Sequence, residues 1–422
     1  MKIKNIGFVS TRIAGTDGVS LEIEKWAHIL ERNGYNCFYF AGELDREPEK
    51  SYICPIAHFN HPEIEKLNKK FFGVKVRDHE TSLKVSEIKE YLKIQLYDFV
   101  KKFDIDLLIP ENALTIPMNI PLGLALTEFI AETCFPTIAH HHDFYWERTR
   151  FLINSVKDYL DRAFPPDLKS IKHVVINSLA SEQLSLRKGI SNVVIPNVFD
   201  FSNSAKKIDD KTCLQIRELA GLEENDLFVL QPTRIVPRKW IERAIEIVYL
   251  MNLKNPKLVI SHAKGDEGDF YYIRIKNYAK ILGVEIVELE KFIGTERCVK
   301  DNKTIFTIND VYQCCDIVTY PSGYEGFGNA FLETIYFKKP IIVNRYSIFI
   351  TDIEPYGFDV FKFDGFVTED FIKNVLNTLN NKNKLQEMVE KNYELAKKYF
   401  SYEVLEKKLI RLIEDMEEQC IK

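Results

Sequence analysis

Short apolar and β-branched runs alternate along this chain with longer segments whose apolar residues recur every three or four positions. A parallel strand covered by helices on both faces reads as such a continuous apolar run, and the return helix reads as the amphipathic stretch. In the first half the runs are NIGFVST, YNCFYFAG, IDLLIPEN, FPTIAHHHD, HVVINS and NVVIPN. A polar stretch without periodicity, VFDFSNSAKKIDDKT, then marks a linker near residues 200–212. The pattern restarts with LFVLQPTR, KLVISHA, VEIVEL, DIVTYPS and PIIVNR. The expectation is an α/β chain of two doubly wound, Rossmann-like domains, 1–200 and 213–395, each of roughly 200 residues and able to bury its own core. The tail, KLQEMVEKNYELAKKYFSYEVLEKKLIRLIEDMEE, reads as helix with a break near Tyr399–Ser401, its end, 396–422, packing back on the first domain. Ligands of open α/β sheets sit beyond the carboxyl ends of the strands, so two such domains facing across a cleft would share one ligand between their strand-end loops.

Composition removes several alternatives. With 45% hydrophobic and 28% charged residues the chain is neither disordered nor fibrous. A formal net charge of −5 argues against a nucleic-acid partner, which a basic surface usually meets. The eight cysteines form no CxxC pair and read as buried reduced thiols, in keeping with a cytoplasmic protein. MKIKNIGFVST reads as a first strand and not a signal peptide, and no apolar run approaches the ~18 residues that span a bilayer. The mixed-charge segment Glu63 to Lys102 reads as helix with a solvated face.

Chemistry is concentrated after two strands of the second half. In YPSGYEGFGNAFLE, Gly326 and Gly328 bracket Phe327 and permit close backbone approach or positive φ. NAFLETIYF then has helical spacing, and its first-turn N–H groups favour an anion. Glu325 lies at the mouth of that turn and Glu333 over a turn inside. Carboxylates beside an anion site are costly unless they bond something neutral, such as sugar or ribose hydroxyls, so the pattern suits a nucleotide diphosphate sugar. A solvated helix start accounts for the two glutamates equally well. In QPTRIVPRKWIERAIE, Pro237 is placed to open a helix, and Arg234 and Lys239 lie where they could neutralise a leaving diphosphate. Arg238 is expected in solvent, and exposed basic loop residues remain the simpler account of all three.

Taken together, Arg234, Lys239 and EGFGNAFLE with its E-x7-E spacing resemble the retaining GT-B glycosyltransferases of family 4. VVIPNV, TINDVYQCCDIVTYPS and KKPIIV match as well. The resemblance covers most of the second domain and scattered strand ends of the first. It implies that Arg234 and Lys239 bind the donor diphosphate, that Glu325 contacts the transferred sugar, and that backbone around Gly326, Phe327 and Gly328 holds sugar and phosphates. Glu333 would bond the ribose. The family often has Gly where Trp240 stands, and its usual PNG is PNV here at Pro196–Val198, so local loop shape departs at both places.

In the first domain STRIAGTDGVSLEIEKWA is not G-x-G-x-x-G. By resemblance Gly15 and Gly18 form the glycine loop set against phosphates and acceptor; an ordinary tight turn is the alternative, and Ser20 reads as a helix N-cap. In AHHHDFYWERTRF, His140 and His142 share one strand face and His141 points away, so no preformed histidine triad is expected to hold a metal. The family places a histidine beside the transferred sugar, a position His142 matches, with Asp143 placed to orient it. Arg148 and Arg150 could meet an acidic acceptor. The HHHDFYWER run resembles the mannosylglucosylglycerate-synthase-like branch, which implies an acceptor carrying a carboxylate. His58 and His61 read as loop residues. Asp104–Asp106 and Asp209–Asp210 are only fragments of a metal-binding DxD, which GT-B enzymes do not need. Asn177, Ser178, His262 and Lys264 lie at strand ends and are weaker ligand candidates.

The expected activity is therefore hexosyl transfer, with retention, from a nucleotide diphosphate sugar of GDP-mannose or UDP-glucose type. The acceptor is a hydroxyl of a small soluble sugar or sugar acid such as glucosylglycerate. The nucleotide sugar is a co-substrate, and no metal or other cofactor is expected. Arg234, Lys239 and the helix N-terminus would stabilise the leaving group, whose phosphate oxygen could itself take the acceptor proton. A nucleotide-sugar-binding protein without transfer, or a phosphorylase or epimerase on the same architecture, remains open, as do donor base and oligomeric state.

Overall fold

A computed structural model describes residues 2–15, 17–264, 268–300 and 303–419. Thr16 of the glycine loop and the last three residues of the expected tail helix lie outside them. The chain divides into two compact units, one of Met1–Asn197 with Tyr402–Lys422 and one of Val198–Ser401.

The first unit holds a seven-stranded parallel sheet. Its strands are β1 (Asn5–Val9), β2 (Asn36–Ala41), β3 (Ser51–Ile53), β4 (Leu107–Pro110), β5 (Thr137–His141), β6 (Ile171–Val175) and β7 (Asn192–Val194), in the order β3-β2-β1-β4-β5-β6-β7. β4 and β5 are buried at every position, as strands covered on both faces must be. The charged segment beyond residue 62 forms the helices Pro62–Phe71 and His79–Phe103. The longer one lays Val85, Ile88, Leu92, Leu96 and Phe99 into a core with Val9, Phe40 and Leu108. Fully burying each such side chain is worth about 1.5–3 kcal/mol.

The second unit begins with irregular chain that turns helical sooner than expected: Asp209 caps a helix at Asp210–Leu219, so residues 210–212 of the expected linker are helical. Its parallel sheet contains β8 (Val229–Gln231), β9 (Lys257–Ile260) and β10 (Glu285–Glu288). A small three-stranded insert follows, β11 (Ile293–Gly294), β12 (Cys298–Lys300) and β13 (Lys303–Thr307). β14 (Ile317–Tyr320), β15 (Ile341–Asn344) and β16 (Phe361–Phe363) return to the main sheet, whose order is β10-β9-β8-β14-β15-β16. Val229, Leu258, Ile260, Ile317 and Ile342 meet Ile245 and Val248 of the helix Ile241–Leu250 in its core. The tail is two helices, Lys382–Tyr399 and Tyr402–Gln419, parted at the expected break near Tyr399–Ser401; the second belongs to the first unit. Among the described residues no helix is long and apolar enough to cross a membrane.

Candidate active site

A doubly wound sheet offers its ligand crevice where the strand order reverses. In the second unit that point lies between β8 and β14. The loops leaving these strands, 232–240 and 321–328, are the two singled out by composition. They meet over Glu325, a residue only 5% exposed. Lys239 Nζ bonds its Oε1, and Arg238 Nη1 lies 2.9 Å from its Oε2. Arg238 is thus part of the site and not a solvated neighbour, because the tight turn Pro237–Lys239 sets adjacent cations astride one carboxylate.

Burial opposes both charges. For Glu325, Lys239 and Arg238 outweigh burial and hold the carboxyl below its ordinary value. For Lys239, burial dominates and its ammonium is held below its ordinary value; Arg238 and Arg234 push the same way, against Glu325. Arg234 is exposed but acts on the same spot. His262, just past β9, is pushed down to about 4 by burial and then by the charges of Lys239 and Arg234. Positive potential therefore collects around the end of β8.

Gly328 opens the helix Asn329–Tyr336 at φ 119°, in the range that favours glycine. A Cβ there would lie 2.5 Å from the hydroxyl of buried Tyr346, which donates to the Phe327 carbonyl at 2.8 Å. Gly328→Ala therefore forces strain of about 1–3 kcal/mol into this loop. The expected result is a melting temperature lowered by several degrees; calorimetry showing no change would contradict the packing. Gly328, at the cap position, has no side chain to cap this helix, whereas Asp17 and Asn177 cap Gly18–Arg32 and Ser178–Lys188. Its first-turn amides and positive dipole end are thereby suited to an anion. Glu333, one turn in and half-buried, accepts a 2.8 Å hydrogen bond from Tyr312. Trp240 itself takes the left-handed backbone, φ 48°, and its indole fills the space beside Gly323, where a Cβ would come within 2.3 Å.

In the first unit the order reverses between β1 and β4. A cavity of about 190 Å³ opens there, lined by Ser10, Arg12 and Asp17 after β1, by Glu111 and Asn112 after β4, and by Asp143, Arg148 and Arg150 after β5. Arg12 pairs with Asp17 at 3.0 Å, and Arg148 grips Asp143 through both Nε and Nη2. Arg150 Nη2 lies 3.0 Å from Met118 Sδ, with the guanidinium over Phe151. Gly18 is the first residue of its helix, whose cap is Asp17 and not Ser20: Asp17 Oδ1 accepts from the Val19 and Ser20 amides. Ser20 is buried and bonds Ala14 instead. Asn177 is likewise a cap, accepting from Ala180 N–H.

The histidines divide as strand geometry requires. His141 turns away to His173, Nε2 to Nδ1 2.8 Å. His140 and His142 share the other face, and what completes their group is Glu111, which the sequence reading passed over. It is wholly buried, with Oε1 2.7 Å from His140 Nδ1 and 2.5 Å from His142 Nε2. Burial alone would raise the Glu111 carboxyl, yet the two histidines outweigh it and bring it to about 2. Burial opposes the His142 imidazolium, but Glu111 outweighs that and raises it. The three side chains offer ligand atoms within 4.8 Å of one another, a group that could hold a metal ion. The sequence-derived residues thus fall into two groups, one at the crossover of each sheet.

Residues 215–395 match the family described as glycosyl transferases group 1. The chain is 33% identical to a mannosylglucosylglycerate synthase of Petrotoga mobilis, over 84% of this chain and 85% of that protein. It is also 33% identical to one of Thermotoga maritima, over 94% and 96%. Among solved structures, a glycosyltransferase from Rickettsia africae superposes with a TM-score of 0.66 at 13% identity, over 99% of each chain. Anabaena HepE in complex with UDP-glucose gives 0.62 at 13% identity, over 97% of this chain and 99% of that one.

Proposed function

The chain belongs to the group 1 glycosyl transferases and has the GT-B fold, and from that premise we propose that it moves a mannosyl group from a nucleoside diphosphate mannose to glucosylglycerate, with retention of anomeric configuration. The names of the two relatives supply the acceptor. The observation that carries the donor half is the buried Glu325 held by Lys239 and Arg238 at the β8/β14 crossover, beside a helix N-terminus opened by Gly328.

In this reading the diphosphate lies against Lys239, Arg234 and the first-turn amides after Gly328. As the glycosidic bond breaks, negative charge grows on the leaving phosphate oxygen. Fixed cations in a water-poor site stabilise that charge without reorganising. Glu325 accepts from sugar hydroxyls, Glu333 from the ribose, and the leaving oxygen takes the acceptor proton. Gly326 and Phe327 supply backbone to the sugar and phosphates.

The acceptor half rests on the cavity of the first unit, where Arg148 and Arg150 suit a carboxylate and Asp143 orients Arg148. The purified protein, given GDP-mannose and glucosylglycerate, is expected to release GDP and form a disaccharide whose new anomeric signal matches the donor's configuration. Sugar release that needs inorganic phosphate, or sugar interconversion without acceptor, would overturn the reading.

A further inference from the structure

The ends of β4 and β5 bring together three metal-ligating side chains whose polar atoms are incompletely matched. Glu111 and His140 are buried, yet among the described residues no hydrogen bond reaches Glu111 Oε2 or either ring nitrogen of His140. His140 Nδ1 lies 2.7 Å from Glu111 Oε1, but in a direction that makes no hydrogen bond. His142 Nε2, 2.5 Å from the same oxygen, matches that atom alone. Buried polar atoms nearly always have partners, and a set without them calls for an explanation such as an ion. A carboxylate shut away from water is likewise costly unless it is paired or coordinates a metal.

The surrounding chain fixes all three. Glu111 bridges to His140 in parallel register, and the Asn112 amide donates to the His140 carbonyl at 2.8 Å. The Glu111 amide donates to the Val9 carbonyl, and its own carbonyl accepts from Ser10 Oγ. The His142 amide donates to Asn112 Oδ1, and Trp26 stacks on the His140 ring with centroids 4.2 Å apart. Ligands carried on rigid strand ends and braced from outside are preorganised as a metal site requires. Every one of these residues belongs to the first unit.

We propose that Glu111, His140 and His142 bind one divalent transition-metal ion of the zinc class. Two imidazole nitrogens with one carboxylate oxygen suit zinc and its neighbours, whereas calcium and magnesium take oxygen ligands. Three protein ligands leave a fourth position for water or another oxygen. Ligand atoms about 2.1 Å from a tetrahedral ion stand roughly 3.4 Å apart. The pairs at 2.5 and 2.7 Å therefore open by under about 1 Å when the ion enters, and the whole set already lies within 4.8 Å. The ion ties the end of β4 to the end of β5, the two strands whose loops carry Asn112, Asp143 and Arg148 into the cavity of the first unit. No donor or acceptor enters this argument, so it stands apart from the proposed reaction.

The intact chain, stripped with a chelator and dialysed, is expected to take up about one equivalent of zinc and to melt several degrees later with it. Cobalt in place of zinc should show the visible bands of a four-coordinate ion without the near-ultraviolet band of thiolate ligation. Glu111→Gln and His140→Gln should each weaken zinc binding at least about 100-fold, beyond the 10- to 100-fold that changes outside the ligand set cost. His58→Gln, which alters a loop histidine paired with Glu43, should bind zinc as the wild type does. Where a ligand variant fails to fold, anomalous scattering at the zinc edge from wild-type crystals decides, because it locates the ion. No zinc retained by the wild type overturns the proposal, as does thiolate ligation, an ion located elsewhere, or binding unchanged in both ligand variants. Zinc bound at this set without transfer activity would refute only the proposed reaction.

Discussion

Lys239→Ala is expected to lower kcat about 10²-fold or more, the usual cost of removing a preorganised charge partner from a developing anion. Two effects combine. The variant loses the point charge that would meet the leaving phosphate, and it leaves Glu325 with Arg238 alone. Breaking a buried ion pair by removing one partner costs about 3–5 kcal/mol of stability, and Arg238 should reduce that here. The variant should therefore melt earlier yet remain folded, which a thermal scan would check beside the rate. Lys239→Arg keeps the charge but substitutes a planar fork for a compact ammonium in a buried slot already shared with Arg238, so it should recover only part of the rate. Near-normal turnover in Lys239→Ala would remove leaving-group stabilisation from the account.

Arg150→Ala is expected to raise KM for glucosylglycerate roughly 10- to 150-fold, the worth of a charged hydrogen bond of about 1.5–3 kcal/mol. With the neutral analogue glucosylglycerol as acceptor, the wild type should already be poor and the variant no worse. The contrast distinguishes carboxylate recognition from general loop damage. Arg148 is a less direct probe, because removing it also releases Asp143. Equal losses for both acceptors would mean that the cavity at the β1/β4 crossover does not read the carboxylate.

Long apolar runs made the central strands of both sheets legible, since a strand such as Leu107–Pro110 must be apolar on both faces. The three-residue edge strands Ser51–Ile53 and Phe361–Phe363 carry too little pattern, and they exist because a neighbour's backbone is there to pair with. The insert β11–β13 is invisible for the same reason: its longest strand is five residues, and its outer strand Cys298–Lys300 is exposed throughout. Glycine and charge at strand ends pointed to Lys239, Glu325 and Gly328, and the sheet crossover explains why those loops are the ones that meet. Arg238 was missed because neighbouring side chains usually diverge, and only the tight turn lets both reach one carboxylate. Glu111 was missed for a different reason. It directly follows β4 while its partners lie on and just beyond β5, some thirty residues later, and only the parallel pairing of β4 with β5 sets the two strand ends side by side. The alternation rule did separate His141 from His140 and His142; what it lacked was the neighbouring strand.

Calorimetric titration of GDP into the wild type, Arg234→Ala and Lys239→Ala tests most directly whether the end of β8 holds the donor diphosphate. Loss of a charged hydrogen bond should weaken binding roughly 10- to 150-fold in either variant. GDP binding as tight in both variants as in the wild type would place the diphosphate elsewhere and contradict the account.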